Sequence, residues 1–232
     1  MDRVCEVWSA STDLLRPQHA ALLDDAERSR VERLSQPADR ARATLAAALL
    51  RLVGARALDL DPADPEAPRR LRVERGCRTC TQPHGKPSIG HGLHLSVSHA
   101  GTLVLVALTR VAPVGVDLEP STRAAQAQIA ARWACDPGES AQIAGGDDAL
   151  RYWIRKEAIV KATGEGLAAP LAGVQVSAPH EPPRLLRWTG RPHQACTLID
   201  LNPPHGYVAS LAVLSRGPLD VIECAADDLL AA

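Results

Sequence analysis

Trp153-Ile-Arg-Lys-Glu-Ala-Ile-Val-Lys-Ala-Thr-Gly-Glu-Gly-Leu167 is the stretch on which the fold turns. The spacing predicts a helix from about Ala149 to Thr163. Trp153, Glu157 and Lys161 recur every four residues on one side, while Ile154, Ala158 and Ala162 form an apolar stripe on an adjacent one. Asp147 or Asp148 is expected to cap its start, and Gly164 and Gly166 to end it. Taken alone, Glu157 and Lys161 read as an ordinary ion pair on a solvated helix. Lysine usage argues for more: of 26 basic residues, only Lys86, Lys156 and Lys161 are lysine. A chain that otherwise chooses arginine, yet places two lysines in one helix, suggests compact ammonium charges for phosphate rather than planar forks.

Upstream, Leu93, Leu95 and Val97 alternate with His94, Ser96 and Ser98, the period of a half-buried strand. Leu103 to Leu108 is an apolar run suited to a central strand, and Val114-Gly-Val-Asp-Leu-Glu119 is expected to complete an antiparallel meander with it. In that last strand Val114, Val116 and Leu118 face one way. Asp117 and Glu119 face the other, side by side. Such a pair fits an exposed edge strand, or, at a strand end closed by Pro120, the floor of a metal site. His84-Gly-Lys-Pro87 reads by itself as a tight turn.

Toward the N-terminus, Val4 to Trp8 is expected as a strand, Pro17 to Leu34 as a helix and Asp39 to Leu58 as a stronger helix. Its Arg40, Arg42, Arg51 and Arg56 are expected on a solvated face, with one or two able to meet a phosphate. Asp59 to Arg70 reads as a loop, and Leu71 to Glu74 as extended. Beyond the opening helix, strands are expected at Val174 to Ser177, Leu185 to Trp188, Cys196 to Leu201 and Tyr207 to Leu214. The helix-then-strands order thus occurs twice, and the endings of His99 to Arg110 and His205 to Arg216 echo each other. The fold class read from this is α+β, with two similar halves, 1–119 and 120–232.

The composition bounds the function. At 232 residues with 46% hydrophobic and 23% charged residues the chain can bury a proper core, and with no phenylalanine that core must be Leu, Val, Ile and Ala. A net charge of −1 argues against a dedicated nucleic-acid binder. The first residues lack a basic segment followed by an apolar one, and no apolar run approaches membrane-spanning length, so a cytoplasmic location is expected. The scattered cysteines then read as mostly reduced thiols. Cys77, Cys80 and His84 offer three candidate zinc ligands without a fourth, and read as a turn with two free thiols.

If Asp117, Glu119 and Glu157 meet in the cleft between halves, three carboxylates suit a hard cation such as Mg²⁺, with Lys156, Lys161, Lys86 and His99 around the same phosphate. That set fits transfer of a phosphate-linked group. No glycine-rich nucleotide loop of the common kinds is present.

These residues resemble a known family, the 4′-phosphopantetheinyl transferases of the surfactin-synthetase (Sfp) type. His84-Gly-Lys-Pro87 looks like the family's Gly-Lys-Pro turn, Leu95 to Gly101 its Ser-His motif, Gly115-Val-Asp-Leu-Glu119 its Gly-x-Asp-x-Glu strand, and Trp153 to Leu167 its Trp-x-x-Lys-Glu-x-x-x-Lys signature. The resemblance implies a pseudo-twofold monomer, its active site between the halves, that moves phosphopantetheine from coenzyme A to a serine of an apo carrier protein or carrier domain of a polyketide, nonribosomal peptide or fatty acid synthase. It implies Mg²⁺, or Mn²⁺ in its place, on Asp117, Glu119 and Glu157. Glu157 would be the base and Lys161 would stabilise the phosphate and the leaving 3′,5′-ADP. Lys156, Ser98 and His99 would touch phosphate, Gly85, Lys86 and Pro87 would border the adenine, and Arg42, with Arg30, would meet the 3′-phosphate. Ala100 and Val97 depart from the residues common in relatives at those positions. The competing reading is a catalytically inactive coenzyme A-binding module or regulator. A complete acid set beside two lysines favours the enzyme.

Overall fold

A computed structural model describes residues 3–60, 64, 66–76, 85–166 and 169–231. Among these, a four-stranded sheet has the order β2 (His94–Ala100), β3 (Leu103–Thr109), β1 (Val4–Ser11), β9 (Asp220–Ala225). A three-stranded sheet has the order β4 (Val114–Pro120), β8 (Tyr207–Val213), β7 (Thr197–Asp200), and β5 (Val174–Val176) pairs with β6 (Leu185–Trp188). All pairings are antiparallel except β1 with β9, where Val4 stands opposite Asp220. The helices are α1 (Pro17–Ala21), α2 (Asp25–Glu32), α3 (Pro37–Ala57), α4 (Ala67–Arg70), α5 (Ala124–Ala134), α6 (Pro137–Ser140), α7 (Gly146–Thr163) and α8 (Asp227–Ala231).

The chain forms a mixed α/β fold in layers, which follow from strands that are apolar on both faces. On β3, Val104, Val106 and Leu108 pack with Leu45, Leu49, Leu50 and Val53 of α3. Its other face, Leu103, Leu105 and Ala107, meets Val114, Val116 and Leu118 of β4 and Leu211 and Val213 of β8. The far side of the second sheet, through Leu198 and Ala212, lies under Ala158 and Ala162 of α7. Helix, sheet, sheet and helix therefore stack in that order, and the alternation of β4 puts its carboxylates toward α7.

Several expectations change. β4 does not extend the meander: it leaves β3 and pairs with β8, because period 2 reveals a strand but not its partner. Ser96 and Ser98 are buried, not outward. Their hydroxyls accept the N–H groups of Val116 (3.0 Å) and Leu118 (3.2 Å), stitching β2 to the edge of the second sheet. The helix expected over Pro17 to Leu34 is two, since Asp24 and Glu27 form a reciprocal cap that starts α2. Arg51 is fully buried rather than solvated, donating to Asp24, Glu27 and the carbonyls of Pro68, Arg69 and Leu71. The segment expected as a loop ends in α4, and Glu74 makes only a bridge to Ser88. β9 and α8 were not anticipated. Cys77, Cys80, His84 and Leu167 lie outside the described residues; Cys5, Cys135, Cys196 and Cys224 are free thiols. No helix among the described residues is long and apolar enough to cross a membrane.

Candidate active site

The site begins with Gly115. A Cβ there would fall 2.0 Å from the Ala158 carbonyl oxygen and 2.4 Å from the Ala162 nitrogen, so only glycine lets α7 lie directly on β4. That close approach sets Asp117 against Glu157 and Lys161. α7 starts two or three residues before the expected caps: Gly145 is its N-cap, Asp148 accepts from the Ala144 nitrogen instead, and Gly164, with φ of 77°, ends it.

Asp117 is buried, and its Oδ1 accepts from Ser98 Oγ (3.1 Å) and Lys161 Nζ (2.5 Å). Lys161 also donates to Ser98 Oγ at 3.0 Å. Asp117 Oδ2 and Glu157 Oε1 are buried with no hydrogen-bond donor; among the described residues the only other side-chain atom in that condition is Glu27 Oε1. Burial, then the charge of Asp117, pushes the Glu157 carboxyl up to about 7, with Lys161 opposing. Burial and then Asp117 also raise Glu119, against Arg123, whose Nε lies 3.9 Å away. Two donorless oxygens among mutually repelling acids fit a cation, and an all-oxygen set suits a hard one such as magnesium. As the side chains stand, no three acidic, His or Cys groups among the described residues are close enough to share an ion, and the Lys161 ammonium rests on Asp117.

A cavity of about 500 Å³ runs from Lys161 and Gly164–Gly166 past Ser96, His99 and Gly85–Pro87 to Glu27, Arg30 and Arg75. Its cationic groups suit an anion. The surrounding protein, then the positive charges of Arg42 and Lys161, lower the His99 imidazole. Arg42 stands outside the lining, donating to the Gly101 carbonyl at 2.7 Å and to Asp39.

Two lysines are placed differently from expectation. Lys156 does not reach the acids: it is fully buried on the other side of α7, with its Nζ on Glu139 Oε2 (2.5 Å) and the carbonyls of Ala134 (2.8 Å) and Leu171 (3.2 Å). A lysine neighbouring Glu157 in sequence must point about 100° away from it on a helix, into the core here. Lys86 lines the cavity, but its ammonium donates to carbonyls of Val114, Lys161 and Ala162 and so pins the Gly85–Pro87 turn to the end of α7. Arg75 and Glu27, both in the lining, were missed. Arg75 has no periodic or motif signal, and Glu27 looked like one more acid on a solvated helix face.

Residues 113–212 match the family model described as the 4′-phosphopantetheinyl transferase superfamily. The span holds Asp117, Glu119, Glu157 and Lys161. The chain is also similar to the 4′-phosphopantetheinyl transferase HetI of Nostoc sp., with 29% identity over 210 residues, 85% of this chain and 81% of the relative. A Synechocystis sp. protein, slr0495, whose provisional name is 4′-phosphopantetheinyl transferase, is 29% identical over 177 residues, 72% of this chain and 67% of the relative.

Proposed function

We propose that this chain, similar to the 4′-phosphopantetheinyl transferase superfamily over residues 113–212 and to two such relatives along most of its length, transfers 4′-phosphopantetheine from coenzyme A to a serine of an apo carrier protein, in the manner of the Sfp type. The observation that carries this is the pair of buried, donorless carboxylate oxygens on Asp117 and Glu157, beside Lys161, which bonds Asp117 and lines a cavity with Arg30, Arg75 and His99.

Glu157, with its carboxyl pushed up to about 7, is suited to take the proton of the incoming hydroxyl, directly or through a water. The serine oxygen forms the new bond to the phosphopantetheine phosphorus, the bond from that phosphorus to the bridging oxygen breaks, and 3′,5′-ADP leaves. Lys161 faces that departing charge and relays its position to Asp117 and Ser98. Arg30, Arg75 and His99 hold the donor's phosphates at the cavity's other parts, beside the Gly85–Pro87 turn. Magnesium, or manganese in its place, held by Asp117, Glu119 and Glu157, would supply neutralisation of the pyrophosphate charge. Lys156 has no role at the phosphate.

The arrangement is read as two α+β halves, 1–119 and 120–232, related by a pseudo-twofold, with β3 and β8 as counterparts in central positions. The protein is read as a cytoplasmic monomer serving polyketide, nonribosomal peptide, siderophore or fatty acid synthases. Exposed Ile129 and Trp133, the latter edge-on at 5.3 Å to Trp153, which lines a groove with Glu119, offer an apolar patch for a carrier helix. The test is intact-mass spectrometry of apo carriers incubated with the protein, coenzyme A and Mg²⁺. A phosphopantetheine mass gain abolished by EDTA supports the reading; coenzyme A binding with no carrier modified refutes it.

A further inference from the structure

The donor cavity ends at a carboxylate that its own surroundings leave half used. Glu27 is 8% exposed and sits in the first turn of α2. Its Oε2 accepts from the Asp24 nitrogen (3.1 Å) and from Arg51 Nε (2.8 Å), so the side chain is fixed from two directions. Glu27 is among the residues lining the cavity, and its Oε1 is buried and meets no donor. A buried acceptor without a partner is destabilising, so a ligand that brings a donor to it gains selectivity as well as affinity.

The surroundings define that donor. Val31, Ala46 and Ala47 give this end of the cavity apolar walls suited to a flat ring. Glu27, Arg75 and the Gly85–Pro87 turn line the same cavity, and the Arg75 carbonyl accepts the Gly85 nitrogen at 3.0 Å. A carboxylate repels phosphate, so the phosphates fall to Arg30 and Arg75, and the group at Oε1 must be a neutral donor. Resting on the coenzyme A reading above, we propose that Glu27 is a specificity-determining residue whose Oε1 accepts the exocyclic amino group of the donor's adenine. A base with an oxygen at that position would place acceptor against acceptor.

Calorimetry with adenosine 3′,5′-bisphosphate and its inosine counterpart tests this without any variant. The adenosine compound is expected to bind the wild-type protein at least about tenfold more tightly. In Glu27→Gln, Asp24 and Arg51 claim the amide oxygen, leaving the NH₂ where Oε1 stood. The preference is then expected to vanish or reverse toward inosine, with the melting transition retained. Equal binding of the two by the wild type overturns the inference, as does a preference that Glu27→Gln leaves unchanged. Carrier modification from coenzyme A alongside equal binding overturns this inference alone. Binding of neither nucleotide with no carrier modified overturns the proposed function and this inference with it.

Discussion

The two sides of α7 treat charge in opposite ways. On the inner side Arg155 and Lys156 are almost wholly buried, and their donors are taken. Arg155 donates to Asp200, Ser177 and the carbonyls of Ala178, Pro179 and Glu181, and Lys156 to Glu139 and two carbonyls. On the side facing β4, Glu157 and Asp117 are equally well buried, yet each keeps an oxygen with no donor. Burial is common to both. Satisfaction is what separates a side chain that holds the fold from one held ready for something else. Glu27, with one oxygen in Arg51's network and the other buried and donorless, combines both conditions in a single carboxylate.

The strongest way to break this comparison is on the inner side. Lys156→Met would strand the Glu139 carboxylate, which is buried and also accepts the Val176 nitrogen at 2.9 Å. The expected cost is about 3–5 kcal/mol in urea unfolding, or no soluble protein, and much of it should return in the double variant Lys156→Met/Glu139→Leu. A small effect would mean that the clasp is dispensable.

On the other side the sign should invert. The folded pKa of Glu157, about 7, lies above its ordinary 4.5, so the metal-free folded protein keeps a proton that the unfolded chain releases. This group's contribution is therefore fully present below pH 4.5 and is lost as pH rises to about 7, a fall of roughly 3 kcal/mol. Glu157→Gln removes the ionisation. The variant is expected to be the more stable protein above pH 7, with the wild-type difference shrinking toward pH 4.5. A difference independent of pH would contradict the repulsion between Asp117 and Glu157. The smallest effect is that of the ion itself. Mg²⁺ is expected to raise the melting temperature above pH 7 by about 2–4 °C for each kcal/mol of binding, and not to do so in Glu157→Gln.

The site was more legible than the topology. Gly115, Asp117, Glu119, Glu157 and Lys161 stand in short local patterns, because a helix and a strand each fix which residues share a face. What those patterns omit is depth. Nothing local distinguishes Lys156 from Lys161, and only the packing of α5, α6 and α7 shows that one ammonium is enclosed. The partner of β4 was equally hidden, since an apolar alternation fits any sheet. β9 was missed because its Glu223, Ile222 and Ala225 are exposed at an edge and lack the alternation of a half-buried strand. Arg51 read as solvated because a periodic charge looks the same whether water or a buried carboxylate faces it.

The measurement that tests the account most directly is the mass of an apo carrier after incubation with coenzyme A, Mg²⁺ and either the wild-type protein or Glu157→Gln, both shown to be folded. The wild type is expected to add one phosphopantetheine per carrier serine. The variant should add it at least about a thousandfold more slowly, since on the proposed roles of Glu157 it would lose the base and a metal ligand together. A folded variant that modifies the carrier at near wild-type rate would contradict the claim that the donorless face of α7 does the chemistry.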